Sequence, residues 1–129
     1  MHSDNKEQDS QFNIIHKDMS KDGLKLSFRL NLQYPLAKDE YTATANDNFK
    51  ALALTVRDRL VERWIETHQR YHKENVKRVY YLSMEFLIGR LLWHYVYNLG
   101  LEKETGEACK ELGLDLMELR DQETDAGLG

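Results

Sequence analysis

The sequence from Ala45 to Glu74 reads ANDNFKALALTVRDRLVERWIETHQRYHKE. Its apolar residues recur at the three- and four-residue spacing of one helix face: Phe49, Leu52, Ala53, Val56, Leu60, Val61, Trp64 and Ile65. Thr44 and Asp47 have the spacing of a capping box, which predicts a helix start. A helix of this length forms a rod of roughly 45 Å, longer than so small a domain requires. We therefore expect it to reach across a larger body or to a second subunit.

The residues before this helix divide into three parts. Residues 1–20 are polar, which predicts a mobile tail. The leucines from Asp22 to Tyr34 are spaced ambiguously between strand and helix, but their Lys and Arg neighbours favour a helix that ends before Pro35. Residues 35–44 then form a connector.

The stretch Arg78–Ser83 is β-branched and aromatic, and nearly continuous in apolar character. This pattern predicts a strand buried on both faces in a parallel sheet. No second convincing strand follows, and a buried strand without partners leaves costly unpaired backbone groups. We therefore expect the missing strands elsewhere, so that the chain is a fragment of a larger domain.

The rest of the sequence predicts three short helices, at roughly Leu87–Leu99, Glu102–Leu112 and Leu116–Glu123. Gly100 and Gly113 stand where helix-terminating glycines are expected.

Composition excludes several classes of function. The 129 residues carry a net charge of −4, which argues against a nucleic-acid or anionic-membrane partner. No apolar run is long enough to span a bilayer. The single cysteine, Cys109, cannot form an internal disulfide, and the first residues are polar rather than apolar. We expect a cytoplasmic protein.

The stretch from Lys77 to Arg90, KRVYYLSMEFLIGR, closely resembles the first strand and following turn of the glycogen, starch and maltodextrin phosphorylases. Similarity to this α-glucan phosphorylase family continues on both sides, from about Leu26 to Gly129. The other matching stretches are ALALTVRDRLVERW at 51–64, NLGL at 98–101, LGLD at 112–115 and DAGLG at 125–129.

The resemblance implies an α/β fold of two doubly wound domains, usually in a homodimer. Residues 21–129 would form an incomplete N-terminal domain, mostly helical with one strand. The family uses inorganic phosphate to cleave the terminal α-1,4 linkage of a glucan, releasing glucose 1-phosphate. Its pyridoxal phosphate is held by a lysine far beyond Gly129, so we expect no cofactor-binding residue here and no activity from this chain alone.

Two groups of site residues follow from the resemblance. Glu85 matches a glutamate near the catalytic centre, where we expect it to orient polar groups or a water rather than donate a proton. Gly127 and Gly129 match the start of a glycine loop whose backbone N–H groups hold the substrate phosphate. The bland alternatives are an exposed acid on a turn and an ordinary glycine turn.

The resemblance also locates a nucleotide site and a phosphoserine site of the animal enzymes. Asp39 and Gln69 keep the residue types of the AMP site, whereas Tyr41, His68 and His72 depart from them. The arginines that receive a phosphoserine correspond to Glu40 and Glu66, which reverses the charge. We expect neither form of regulation in the parent protein.

Other interpretations stay open at this point. His68 and His72 have a metal-binding spacing, but no third ligand is obvious and a solvated helix face explains them better. The chain could be a helical dimerisation module that works through residues 35–44 and the long helix. It could also be a truncated reading frame without function.

Overall fold

The computed structural model describes residues 14–128, and within that range the chain is helical without a β-strand. The helices are α1 (Lys21–Gln33), α2 (Ala45–Glu74), α3 (Leu92–Asn98), α4 (Glu102–Glu111) and α5 (Leu116–Asp121). In residues 14–128, none of these helices is long and apolar enough to cross a membrane.

The core lies where α1, α4 and the first half of α2 meet, with α3 and α5 closing it. The periodicity of α2 explains this packing, because its apolar stripe turns toward α1. The buried apolar residues are Leu24, Phe28, Leu32, Ala51, Leu52, Val56, Leu92, Val96, Leu99, Leu101, Ala108, Cys109 and Leu119.

The long helix has the predicted bounds, Ala45–Glu74. The Thr44 hydroxyl accepts a hydrogen bond from the Asp47 N–H at 3.2 Å, and the Asp47 carboxylate accepts one from the Thr44 N–H at 3.0 Å. The capping box is therefore confirmed. Gly100 and Gly113, with φ values of 71° and 74°, follow α3 and α4 as predicted.

The predicted strand at Arg78–Ser83 is wrong for the described structure. Residues 76–91 form neither helix nor strand, and the side chains of Val79 and Leu82 are 87% and 90% exposed. The reason is the one that made the strand inconsistent in the sequence: residues 14–128 offer it no partner strand. Its apolar side chains consequently contact solvent.

The helix predicted from Leu87 begins only at Leu92. Gly89 has a φ of 66°, in the left-handed region that interrupts a right-handed helix. Glu123 fixes the new start, because its Oε1 accepts hydrogen bonds from the N–H groups of Leu91 at 2.7 Å and Leu92 at 3.1 Å. A residue 31 positions away thus sets this boundary, which local sequence could not reveal.

The predicted tail, residues 1–20, falls only partly within the described residues, since 1–13 lie outside them. Residues 14–18 run along α2. The Lys17 N–H donates to Glu62 Oε1 at 2.6 Å, and Lys17 Nζ contacts Asp58 Oδ2 at 3.0 Å. These polar contacts hold the segment that leads into α1.

Arg59 lies at the centre of the α1–α2 contact and is only 1% exposed. Its Nη1 donates to the carbonyl of Thr55 at 2.9 Å. Its Nη2 donates to the carbonyl of Asp18 at 2.7 Å and to the Ser27 hydroxyl at 3.0 Å. Burial lowers the pKa of this guanidinium, yet an arginine remains charged under ordinary conditions. One buried cation therefore joins the segment before α1, α1 itself and α2.

Gly23, in the first turn of α1, provides a test of this arrangement. A Cβ at this position would lie 2.5 Å from both the Cβ and the carbonyl oxygen of Asp18, the carbonyl that Arg59 binds. We expect Gly23→Ala to lower the free energy of unfolding by about 1–3 kcal/mol through overpacking. Urea unfolding followed by circular dichroism measures it.

Gly106→Ala is the matched control, because Gly106 lies inside α4 with nothing within 4 Å of an added Cβ. There the higher helix propensity of alanine should raise stability by about 0.5–1 kcal/mol. Equal effects of the two substitutions would contradict the close approach of Asp18 to Gly23.

Residues 76–91 generate a second prediction. Their exposed apolar side chains, such as Tyr80 at 75% and Leu82 at 90%, should drive self-association and binding of hydrophobic dyes by the isolated chain. Leu82→Lys should reduce both without loss of helix, because the Leu82 side chain packs on little else. Sedimentation velocity and dye fluorescence measure these effects.

Leu26→Lys on α1 introduces the same change at a side chain that is 60% exposed outside this segment. It should leave self-association unchanged. A wild-type chain that is monomeric and does not bind dye would show that residues 76–91 are covered in solution.

Candidate functional site

Glu85 and Gly127, two of the site residues predicted from the sequence, lie close together. The Leu128 N–H donates a hydrogen bond to Glu85 Oε1 at 2.6 Å, across 43 residues of sequence. A carboxylate acceptor and a distance this short indicate a strong, charge-assisted bond. Gly129, the third predicted residue, lies outside the described residues.

Each side of this contact has its own local support. The Ser83 hydroxyl donates to the carbonyl of Glu85 at 2.7 Å and accepts from the Glu85 N–H at 3.2 Å. On the other side, the Gly127 N–H donates to Asp125 Oδ1 at 2.9 Å. Two carboxylates therefore accept hydrogen bonds from two successive backbone N–H groups.

Asp39 is part of a tight turn in the connector. Its Oδ1 accepts hydrogen bonds from the N–H groups of Tyr41 at 3.0 Å and Thr42 at 2.9 Å, and from the Thr42 hydroxyl at 2.9 Å. The bonds from Thr42, which favour the charged form, hold the pKa of Asp39 below its ordinary value. The Asp39 carboxylate thus organises the connector.

Asp39 and Gln69 are not brought together within one copy of the chain. The connector is fastened near the start of α2, where Lys38 Nζ lies 3.8 Å from Asp47 Oδ2. Gln69 lies near the other end of α2, and the helix rises about 36 Å between Ala45 and Gln69. A site that used both residues would need a second copy.

The second half of α2 presents a row of rings to solvent. The Trp64 and His68 rings are 4.2 Å apart, and those of His68 and Tyr71 are 5.8 Å apart. Arg78 lies over the Tyr71 ring at 5.7 Å, which is within the range of a cation–π contact. His68 and Tyr71 also line an open cleft of about 340 Å³ with residues 76–80.

His68 is therefore engaged with aromatic rings, and no group of three or more His, Cys, Asp or Glu residues within 14–128 has a metal-binding arrangement. Glu66, the residue of reversed charge, lies 3.2 Å from His16 Nε2. His16 Nδ1 lies 3.4 Å from Glu62 Oε2, so the two glutamates flank this histidine.

Comparison of the sequence with known proteins identifies its family. The chain is 52% identical over 106 residues to the brain form of glycogen phosphorylase from Bos taurus, a match that covers 82% of this chain and 13% of that protein. The brain form from Homo sapiens has the same identity and coverage. The liver form from Homo sapiens is 53% identical over 106 residues, covering 82% of this chain and 12% of that protein.

The chain belongs to the glycogen phosphorylase family. Identity above half over most of the chain confirms the resemblance that the sequence indicated at Lys77–Arg90 and its flanks. The chain spans about an eighth of the length of these phosphorylases. No protein-family model matches the sequence.

Cys109 is the single cysteine of the chain, and it is buried in the core. Burial raises the pKa of its thiol to about 11. A thiol with so high a pKa carries little thiolate near neutral pH and is a poor nucleophile.

Sequence reasoning missed two residues that shape this chain, Arg59 and Glu123. Neither stands in a motif, and each acts through a contact with a distant segment. The one signal for Arg59 was its place beside the apolar stripe of α2, three residues after Val56 and within the turn occupied by Leu60.

Proposed function

We propose that this chain is part of an α-1,4-glucan phosphorylase, which uses inorganic phosphate to release glucose 1-phosphate from a glycogen-type glucan. The support is the identity to glycogen phosphorylases together with the contact between Glu85 and Leu128. That contact joins the predicted catalytic-centre glutamate to the beginning of the predicted phosphate loop. Glu85 therefore makes a specific contact with a backbone 43 residues away, unlike a fully solvated acid on a turn.

The residues described here do not fit the proposed cofactor, pyridoxal phosphate. Such a cofactor is held through a Schiff base to a lysine, and that lysine must lose its proton, which burial favours. No lysine within residues 14–128 is buried. The cofactor of the proposed enzyme is therefore bound by residues outside this range, and within 14–128 the residues proposed for the active site are Glu85 and the start of the loop.

Activity provides the direct test. A longer protein that contains this chain should form glucose 1-phosphate from glycogen and inorganic phosphate in the presence of pyridoxal phosphate. The 129-residue chain alone should form none, because the cofactor lysine and most phosphate-binding residues are absent. A coupled assay for glucose 1-phosphate measures both proteins, with a protein-free mixture as the control.

Product from the chain alone above that control would refute the division of residues proposed here. Absence of product from a folded, cofactor-loaded longer protein would refute the phosphorylase assignment.

We further propose that two copies associate through the connector, residues 35–44, and α2. All of the buried residues of α2 lie between Ala51 and Arg59. The remaining 60–74 extends about 22 Å with Trp64 62% exposed. An exposed tryptophan in a row of rings is typical of an interface.

Trp64→Glu should therefore convert a dimer of the longer protein to monomers, because it places a charge in the proposed contact. Analytical ultracentrifugation measures the masses. Lys103→Glu on the exposed side of α4 adds a glutamate away from α2 and should leave the dimer intact. A dimer that survives Trp64→Glu would exclude this face.

AMP should not activate the longer protein. His68 is engaged with Trp64 and Tyr71, His72 stands where the animal enzymes stack adenine, and Asp39 is committed to its own turn. A phosphorylated tail should not switch it either, because Glu66 would repel a phosphate. Titration of AMP at subsaturating phosphate measures the first effect, and a several-fold activation would contradict it.

A further inference from the structure

We infer that Glu85 is a positioning residue, which together with Asp125 anchors the beginning of the glycine loop by occupying its backbone N–H groups. The contact itself is independent of the proposed function, but its consequence for phosphate rests on that function. The consequence is that Gly127 and Leu128 hold the loop in place and do not themselves bind the substrate phosphate.

The backbone N–H groups of Gly127 and Leu128 already have hydrogen-bond acceptors. Each backbone N–H donates one strong hydrogen bond. The Gly127 N–H donates to Asp125 Oδ1 at 2.9 Å, and the Leu128 N–H donates to Glu85 Oε1 at 2.6 Å. An anion-binding loop requires N–H groups that point at the ligand. Because both of these N–H groups already donate to carboxylates, neither is left for a phosphate.

Two negatively charged side chains lie beside Gly127. The Glu85 and Asp125 carboxylates both approach Gly127, since a Cβ there would lie 3.2 Å from Glu85 Oε1 and 3.3 Å from Asp125 Oδ1. Like charges at such distances repel. A phosphate at Gly127 would meet two carboxylates, so the phosphate-binding donors of the proposed enzyme must lie farther along the loop.

The absence of a side chain at Gly127 lets two carboxylates come close to its backbone. Distances of 3.2 and 3.3 Å are shorter than most contacts of a Cβ, so a side chain at position 127 would require the two carboxylates to move by a few tenths of an ångström. Gly127 therefore serves the approach of Glu85 and Asp125 to the backbone. In the sequence, the same glycine had been explained by the approach of phosphate.

Ser83 holds the backbone of Glu85 through two hydrogen bonds. Residues 76–91 lack regular structure, yet the Ser83 hydroxyl bonds to both the carbonyl and the N–H of Glu85. This clasp orients the Glu85 backbone toward the loop. The contact thus connects an irregular segment to residues 125–128, where neither part has secondary structure to position it.

The test uses nuclear magnetic resonance of the 129-residue chain, with a pH titration through the range in which carboxylates protonate. The Leu128 amide proton should shift with pH in the wild type, and Glu85→Gln should reduce this shift several-fold while leaving that of Gly127. Asp125→Asn should do the reverse. Glutamine and asparagine keep the shape and an acceptor but cannot titrate, so a merely structural role would not produce this reciprocal pattern.

Hydrogen exchange by mass spectrometry on dilute protein gives a second measurement that tolerates self-association. The peptide that carries Leu128 should exchange several-fold faster in Glu85→Ala than in the wild type. Lys103→Ala, at an exposed position on α4, should leave this exchange unchanged. Addition of inorganic phosphate should leave the amide shifts of Gly127 and Leu128 in place.

The anchor would be overturned if Glu85→Gln and Asp125→Asn left both pH-dependent amide shifts unchanged. It would also be overturned if each variant reduced the shifts of Gly127 and Leu128 equally. A saturable shift of the Leu128 amide with inorganic phosphate would overturn its exclusion from phosphate binding. None of these measurements involves catalysis. An anchor that is observed in a family member without phosphorylase activity would therefore remove only the proposed function.

Discussion

Arg59 connects three segments that no single helix contact would hold together. Its guanidinium binds the carbonyl of Asp18, the hydroxyl of Ser27 and the carbonyl of Thr55 from a position that is 1% exposed. A charge in the interior is costly unless hydrogen bonds compensate it; here they compensate Nη1 and Nη2, whereas Nε has no hydrogen-bond partner among the described residues. The segment before α1 must therefore pass close to α2, and the close approach of Gly23 to Asp18 follows from that path.

The core organised around Arg59 occupies one end of α2 and leaves the other end without cover. The exposed half is contacted along one side by His16 and Lys17, which bind Glu62 and Glu66, and Arg78 lies over the Tyr71 ring. The same asymmetry holds for residues 76–91, whose apolar side chains face solvent.

The candidate site lies away from this core, in two irregular stretches joined by one short hydrogen bond between Leu128 and Glu85. This contact is exposed, because the surrounding residues add little burial to it. The bond holds the Glu85 carboxylate of one stretch against the Leu128 backbone of the other. The rigid helices set the distance between these stretches, and the carboxylates set the final geometry.

The sequence by itself determined the helices that local chemistry specifies. The bounds of α2 follow from its apolar period and the Thr44–Asp47 capping box, and the family follows from the ordered identities that flank Lys77–Arg90. The sequence also predicted Glu85 and Gly127 as site residues, but it did not reveal the hydrogen bond between Glu85 and Leu128.

Only the tertiary structure decided the features that depend on distant partners. Arg78–Ser83 has strand-forming residues but no partner strand within 14–128, so its propensity went unrealised. The start of α3 was set by Glu123, and the path of residues 14–18 by Arg59 and the acidic side of α2. A local pattern encodes a helix and its cap, whereas pairing across tens of residues depends on which groups the folded chain brings within hydrogen-bond distance.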